Sequence, residues 1–324
     1  MTITKLHWGL LSTARINHSI LGAMPGSERG EVWAVASRDA AKAEAYAREH
    51  NLPRWHGSYE ALLADPDVQV IYNPLPNHLH AEWTIKALEA GKHVLCEKPF
   101  ALTLAEVDAM YAAAQRTERV LAEAFMYRHH PKIIKTKELV ESGALGVVRY
   151  LRASFSFALT RPDDIRWDPK IGGGSLWDVG CYPVSLALYL FGPPERVLGW
   201  QKLSPSGVDE TFAGTLFFPG DRIAQFDCSF HMPYRTYAEI VGDEGVITLS
   251  RPFQPDAPDS KMVVQRGDNE EALELDNPGR YWLEIEDMHD AILLGRPPRI
   301  TPAETRGHVE TLLALYQAAQ ANSL

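Results

Sequence analysis

The chain has 324 residues, 45% hydrophobic and 23% charged, an ordinary globular balance that excludes disorder and fibrous repeats; at about 150 residues per domain it sets an expectation of two domains. Its 32 Lys and Arg stand against 42 Asp and Glu, and the resulting net charge of −10 would repel a phosphate backbone, which argues against a nucleic-acid partner. An anionic ligand must therefore be held locally, by backbone N–H groups and one or two basic side chains.

The apolar stretch from Val184 to Phe191 falls far short of the ~20 residues that span a bilayer, and Met1 to Trp8 lack the basic and apolar regions of a secretory signal. Cys96, Cys181 and Cys228 show neither C-x-x-C pairing nor metal-ligand spacing. The expectations are no membrane contact, no metal, reduced thiols and a cytoplasmic location.

Between residues 5 and 123 short β-branched runs alternate with amphipathic stretches, the pattern of βαβ units around a parallel sheet. Strands are expected at Leu6–Leu11, Val32–Ser37, Val68–Asn73, His93–Cys96 and Val120–Glu123, with a short one near Arg54–Trp55. Helices are expected at Ala40–Glu49, at His80–Ala90, after the capping box Thr103-x-x-Glu106, and at Lys132–Ser142. From Val147 the alternation stops. A helix at about Ser175–Phe191 is followed by strand-like runs with turns at Ser206-Gly207, Pro219-Gly220 and Gly242-Asp243-Glu244-Gly245. The Pro-rich stretch Arg251–Asp259 reads as a long loop, and the last of two closing helices opens on the capping box Thr301-Pro302-Ala303-Glu304. The fold class is α/β: a doubly wound parallel domain over 1–124, then an α+β domain over 125–324 with an open, mostly antiparallel sheet. Apolar residues on both faces of Thr211–Phe218 and Ile223–Phe230 suggest a homodimer or larger assembly through that sheet.

Five segments carry chemistry. The first strand runs into Ser12-Thr13-Ala14-Arg15-Ile16-Asn17, a turn of small residues where a dinucleotide pyrophosphate could meet exposed N–H groups; Ser12, Ala14 and Asn17 fill the glycine slots of G-x-G-x-x-G, so a plain strand-to-helix turn stays open. After the second strand, Ser37-Arg38-Asp39 puts arginine where an NAD enzyme usually presents a carboxylate to the ribose. Arg38 suits a 2′-phosphate, or is a solvated loop charge, and Asp39 suits a helix cap. Leu75, Pro76, Asn77 and His80 lie in a proline-stiffened loop at the carboxyl edge, where ligands bind, although a cap or packing role for His78 and His80 outweighs a metal role. Glu97-Lys98-Pro99 ends the fifth strand at the same edge, where Lys98 either brings an ammonium beside a nicotinamide or is an exposed loop lysine. In the second domain Asp178 and Tyr182, four apart after Gly172-Gly173-Gly174, are either a proton-relay pair on one helix face or a capping Asp and a core Tyr.

Leu10–Ile16, Glu97-Lys98-Pro99, Ala124–Pro131 and Gly172-Gly-Gly-x-x-x-Asp178-x-Gly-x-Tyr182 together closely resemble the glucose-fructose oxidoreductase / inositol dehydrogenase / rhizopine catabolism family, Gfo/Idh/MocA, over nearly the whole chain. The resemblance implies a Rossmann domain that binds NAD(P), an open-faced α+β domain that walls the substrate, and Lys98 at the reacting carbon. Tyrosine at 182 rather than histidine places the chain with the branch of glucose-fructose oxidoreductase, dimeric dihydrodiol dehydrogenase and NADP-dependent xylose dehydrogenase. Ser12, Thr13, Ala14, Arg15, Ile16, Ser37, Arg38, Leu75, Pro76, Asn77, His80, Glu97 and Lys98, with Arg166 and Trp167, then become the expected cofactor contacts, for NADP with NAD as the alternative.

The implied activity is hydride transfer at a carbinol carbon of a sugar, sugar derivative or cyclic diol. The hydroxyl proton must then go to a base, and an ordinary phenol titrates near 10; bringing it to neutrality takes about 4 kcal/mol, within reach of one ammonium in a dry site. Lys98 is the expected source, Tyr182 the base, and Asp178 the group that orients Lys98 or the substrate and balances its charge. Rival readings are a non-catalytic NADP(H) sensor of the same fold and a glycosidase that cycles bound NAD.

Overall fold

The structure, a computed structural model, describes residues 5–321. In chain order the first part runs β1 (Leu6–Leu11), α1 (Asn17–Ala23), β2 (Gly30–Ala36), α2 (Ala40–Glu49), β3 (Arg54–His56), α3 (Tyr59–Leu63), β4 (Val70–Asn73), α4 (His80–Glu89), β5 (His93–Glu97), α5 (Leu104–Thr117) and β6 (Leu121–Ala124). These strands form one parallel sheet of order β3-β2-β1-β4-β5-β6. The order reverses between β1 and β4, so the loops leaving β1, β2, β4 and β5 share the carboxyl edge on either side of the switch point, the Rossmann ligand position. Local chemistry matches the sequence reading. Asp39 caps α2 by accepting from Lys42 N, and Thr103 with Glu106 forms the capping box of α5.

The chain continues through α6 (Pro131–Glu141), β7 (Val148–Ala158), α7 (Cys181–Phe191), β8 (Arg196–Leu203), β9 (Asp209–Phe218), β10 (Arg222–Ser229), β11 (His231–Gly242), β12 (Val246–Ser250), β13 (Met262–Arg266), β14 (Asn269–Ala272), α8 (Arg280–Leu294) and α9 (Pro302–Ala321). Strands β7 to β14 make an eight-stranded sheet of order β14-β13-β12-β11-β7-β10-β9-β8, antiparallel except where β10 runs parallel to β7. α9 lies against one face, where Gly199 lets the Leu315 carbonyl approach. The other face carries exposed Leu198 and Trp200.

The chain divides into two compact units, 1–126 with 281–305, and 127–280 with 306–324. The sequence division at 124/125 carries 281–305 with the second domain, whereas those residues complete the first unit. Ile285 and Met288 of α8 join Trp8, Leu10, Val70, Tyr72 and Leu95 in one core cluster. Polar pins accompany them: Trp8 Nε1 donates to His289 Nε2 at 3.1 Å, Ser27 Oγ to Glu286 Oε1 at 2.5 Å, and Arg29 pairs with Glu286 and with Asp290 at 2.6 Å.

A second difference lies before α7. The helix expected from Ser175 to Phe191 is two pieces, a π-helical segment Leu176–Gly180 and then α7. Pro183 has no N–H to return to the Val179 carbonyl, and the wider turn just upstream accommodates that loss. The Asp178 carbonyl is met by Cys181 Sγ at 3.4 Å, and the Cys181 carbonyl by His308 Nε2 at 2.9 Å.

Candidate active site

In the first unit the nucleotide turn achieves without glycine what the fingerprint achieves with it. Ser12 holds φ at 99°, a value most side chains avoid, and donates its N–H to Ala36 O at 3.0 Å while Asn17 Nδ2 grips its carbonyl at 2.7 Å. The Ser12 hydroxyl is buried and has no hydrogen-bond partner among the described residues. A tight turn, an orphaned hydroxyl and the following run to Ile16 suit an anionic group with oxygen acceptors. At the end of β2, Asp39 is committed to its cap, Asp39 N donates to Ser37 Oγ at 3.2 Å, and Arg38 is exposed with its guanidinium beside the Tyr59 hydroxyl. The residues present thus fit a dinucleotide that carries a 2′-phosphate.

The loop after β4 is built on Asn73, fully buried, whose Nδ2 donates to His80 O at 3.2 Å and Thr84 Oγ1 at 3.0 Å while its Oδ1 accepts from Leu75 N at 3.3 Å. His80 departs from its expected place as a cofactor contact. It is 1% exposed, with Nδ1 2.9 Å from Pro99 O and Nε2 2.7 Å from Leu75 O, so it ties the β4 and β5 loops together from beneath. Burial holds its imidazole below the usual range. Leu75 is buried and Pro76 and Asn77 half-buried along the same loop.

At the end of β5, Tyr72 donates to Glu97 Oε1 at 2.6 Å and Lys98 N to Glu97 Oε2 at 3.1 Å. Desolvation raises the Glu97 carboxyl, and the neighbouring Lys98 charge opposes that rise. Glu97 thus stands beside Lys98 as a partner of opposite charge and fixes the base of the loop that carries it. Cys96 is fully buried and burial pushes its thiol far up, so it is a packed strand residue.

In the second unit the three glycines have distinct tasks. An added Cβ on Gly173 would lie 2.5 Å from the Arg166 carbonyl, and Gly174 takes φ 121° with the Asp209 carboxylate against it. Asp209 is buried and accepts from Ser175 Oγ, Leu176 N and Tyr316 Oη, each at 2.7 Å, which anchors the start of the π-helical segment. Burial lifts its carboxyl to about 6 against the pull of these donors. Sequence reasoning missed Asp209; a lone strand Asp carries no signal of its partners.

Two residues downstream of Leu176, Asp178 accepts from Arg166 Nε at 2.6 Å, and Arg166 NH1 reaches Asp164 Oδ1 at 3.1 Å. Tyr182 is buried, its ring centred 5.3 Å from Phe155, 5.4 Å from Phe253 and 5.8 Å from Tyr127. Sequence reasoning found none of these three aromatic neighbours, of which Phe253 is supplied by the Pro-rich loop. The expected cofactor contacts Arg166 and Trp167 have protein partners in this unit: Arg166 pairs with the two carboxylates, and Trp167 packs on Phe230 and His231 and donates to Arg161 O at 3.1 Å. Among the described residues no cluster of His, Cys, Asp and Glu could hold a metal ion, and no helix is long and apolar enough to cross a membrane.

Comparison with known proteins adds two family matches. Residues 9–125 match the oxidoreductase family with NAD-binding Rossmann fold, GFO/IDH/MocA, and residues 133–248 match the GFO/IDH/MocA C-terminal domain. A D-xylose 1-dehydrogenase (NADP+) of Haloferax volcanii is 38% identical over 317 residues, covering 97% of each chain. A trans-1,2-dihydrobenzene-1,2-diol dehydrogenase of Danio rerio is 36% identical, over 75% of this chain and 74% of its own. Among solved structures, a 3-ketoreductase of Actinomadura kijaniata in complex with NADP and TDP-benzene superposes with a TM-score of 0.91 at 28% identity, over 97% of this chain and 98% of that one.

Proposed function

Because the chain belongs to the GFO/IDH/MocA oxidoreductase family, we propose that it is an NADP-dependent oxidoreductase that moves a hydride between nicotinamide and a carbinol or carbonyl carbon of a sugar, sugar derivative or cyclic diol. Relatives that act on D-xylose and on dihydrobenzenediol support this substrate range. The observation that carries the reading is the end of β2, where Arg38 stands exposed and Asp39 is spent on a cap, an arrangement suited to a 2′-phosphate. Ser12 to Ile16, Ser37, Arg38, Leu75, Pro76 and Asn77 would hold the dinucleotide. NADP supplies the hydride acceptor when bound. For the residues of the chain, what remains is the proton: Tyr182 takes it from the substrate hydroxyl, the Lys98 ammonium favours the phenolate, and Asp178 orients Lys98 or the substrate hydroxyl.

The test is absorbance at the nicotinamide band with panels of aldoses and dihydrodiols, with NADP and NAD compared. Arg38→Ala should weaken NADP use through loss of a charge-assisted contact worth ~1.5–3 kcal/mol while NAD changes little; equal loss for both would remove the phosphate assignment. Tyr182→Phe should lower turnover by ~10²–10⁴ with NADP affinity near normal, and adding Lys98→Met should cost little more, because groups that act together lose activity non-additively. A fully active Tyr182→Phe enzyme would return Tyr182 to a packing role.

The same reading includes a homodimer through the open sheet face, where Trp200 (54% exposed) and Leu198 (43%) border a groove that Tyr150, Arg152 and Gln225 also line. Light scattering should give twice the 36.2 kDa chain mass, falling to one chain for Trp200→Glu. A cytoplasmic location belongs with it, in keeping with three buried cysteines that form no disulfide among the described residues.

A further inference from the structure

Arg166 grips the Gly172–Asp178 stretch at two points. Its carbonyl accepts from Gly174 N at 3.0 Å, and its Nε donates to Asp178 Oδ2 at 2.6 Å. Between these points the chain passes so close to the Arg166 carbonyl that a side chain at Gly173 would not fit. The other arm of the guanidinium is fixed as well: NH1 donates to Asp164 Oδ1 at 3.1 Å, and Asp164, its side chain 4% exposed, is also paired with Arg161. A planar fork held by two carboxylates has little rotational freedom, and a lysine could not reproduce it.

We propose that Arg166 is a positioning residue for the reaction, a tether that sets where the Asp178 carboxylate stands. The proposal rests on the reading of Asp178 as a site residue. Attraction to Asp178 is the largest influence on the guanidinium and raises it above its usual range; the same attraction resists protonation of the carboxylate.

The experiment compares Arg166→Met, Arg166→Lys, Asp178→Asn and the double variant Arg166→Met/Asp178→Asn by NADP binding, steady-state kinetics across pH, and thermal unfolding. Arg166→Met should lower kcat by ~10–100-fold, as expected for a catalytic group shifted by an ångström or less, with the NADP Kd within about twofold of wild type. The acid limb of its kcat profile should move to higher pH, and Arg166→Lys should bring that limb part of the way back. The double variant should be no slower than Asp178→Asn. A tenfold rise in NADP Kd with kcat intact would make Arg166 a cofactor contact, and additive losses in the double variant would overturn the tether. If no sugar or diol turns over, the oxidoreductase reading fails by itself, and the four unfolding midpoints still decide the tether: a coupled pair gives non-additive shifts, and additive shifts overturn it.

Discussion

Ser12 offers a direct measure of what it costs to build a phosphate-type turn without glycine. Its φ of 99° places a β-carbon where the backbone crowds it, worth about 1–2 kcal/mol of strain. Its buried hydroxyl, unpartnered among the described residues, adds on the order of 1 kcal/mol. Glycine would remove both and give back about 0.5–1 kcal/mol through its greater freedom in the unfolded chain. Ser12→Gly should therefore stabilise the protein by about 1–2 kcal/mol. For a unit of this size that is a rise in Tm of roughly 2–8 °C, read by thermal unfolding without nucleotide. Ser12→Ala separates the contributions, since it removes the hydroxyl and keeps the strain; it should gain about 1 kcal/mol, from the hydroxyl alone. A glycine variant about 0.5–1 kcal/mol less stable than the alanine variant, the cost of its freedom in the unfolded chain alone, would mean that the strain is not there and would refute the argument from φ.

Two further outcomes concern the second unit. Asp209, lifted by burial to about 6, binds its proton more tightly in the folded than in the unfolded chain, so its contribution to stability is fully present below about pH 4 and is lost as pH rises through 6. The stability of wild type relative to Asp209→Asn, measured by urea unfolding from pH 4 to 7, should fall across that range by up to about 3 kcal/mol; a flat difference would remove the assignment. Gly174→Ala combines a φ of 121° with a β-carbon driven into the Asp209 carboxylate. It should cost at least about 3 kcal/mol in the same assay, and a loss below about 1 kcal/mol would contradict the close approach.

Much of the first sheet is legible in the sequence because its central strands are largely buried and read as short, mostly apolar runs between amphipathic stretches. β1 and α2 fall at the expected residues and the other strands within two of them. The capping boxes at Thr103 and Thr301 are legible for a different reason, being complete within four residues. What the sequence hides is long-range or conformational. The periodicity of α8 says that Ile285 and Met288 face a core but not which core, and Ser12 gives no sign of a positive φ because its type rarely adopts one. The π-helical segment follows from Pro183, yet proline alone does not say whether the chain kinks, breaks or widens. Arg166 and Asp178 are 12 apart across irregular backbone, and only the folded glycine run brings them together.

The return of residues 281–305 to the first unit bears on how the molecule is made. Residues 127–280 take roughly ten to thirty seconds to synthesise at ~5–20 residues per second. Throughout that interval the nascent sheet lacks Ile285 and Met288 against Trp8 and Leu10, and Ser27 and Arg29 lack the partners that α8 brings. The part of the chain that leaves the ribosome first is thus finished late, and a fragment cut at residue 126 would keep all six strands while exposing the patch that α8 seals.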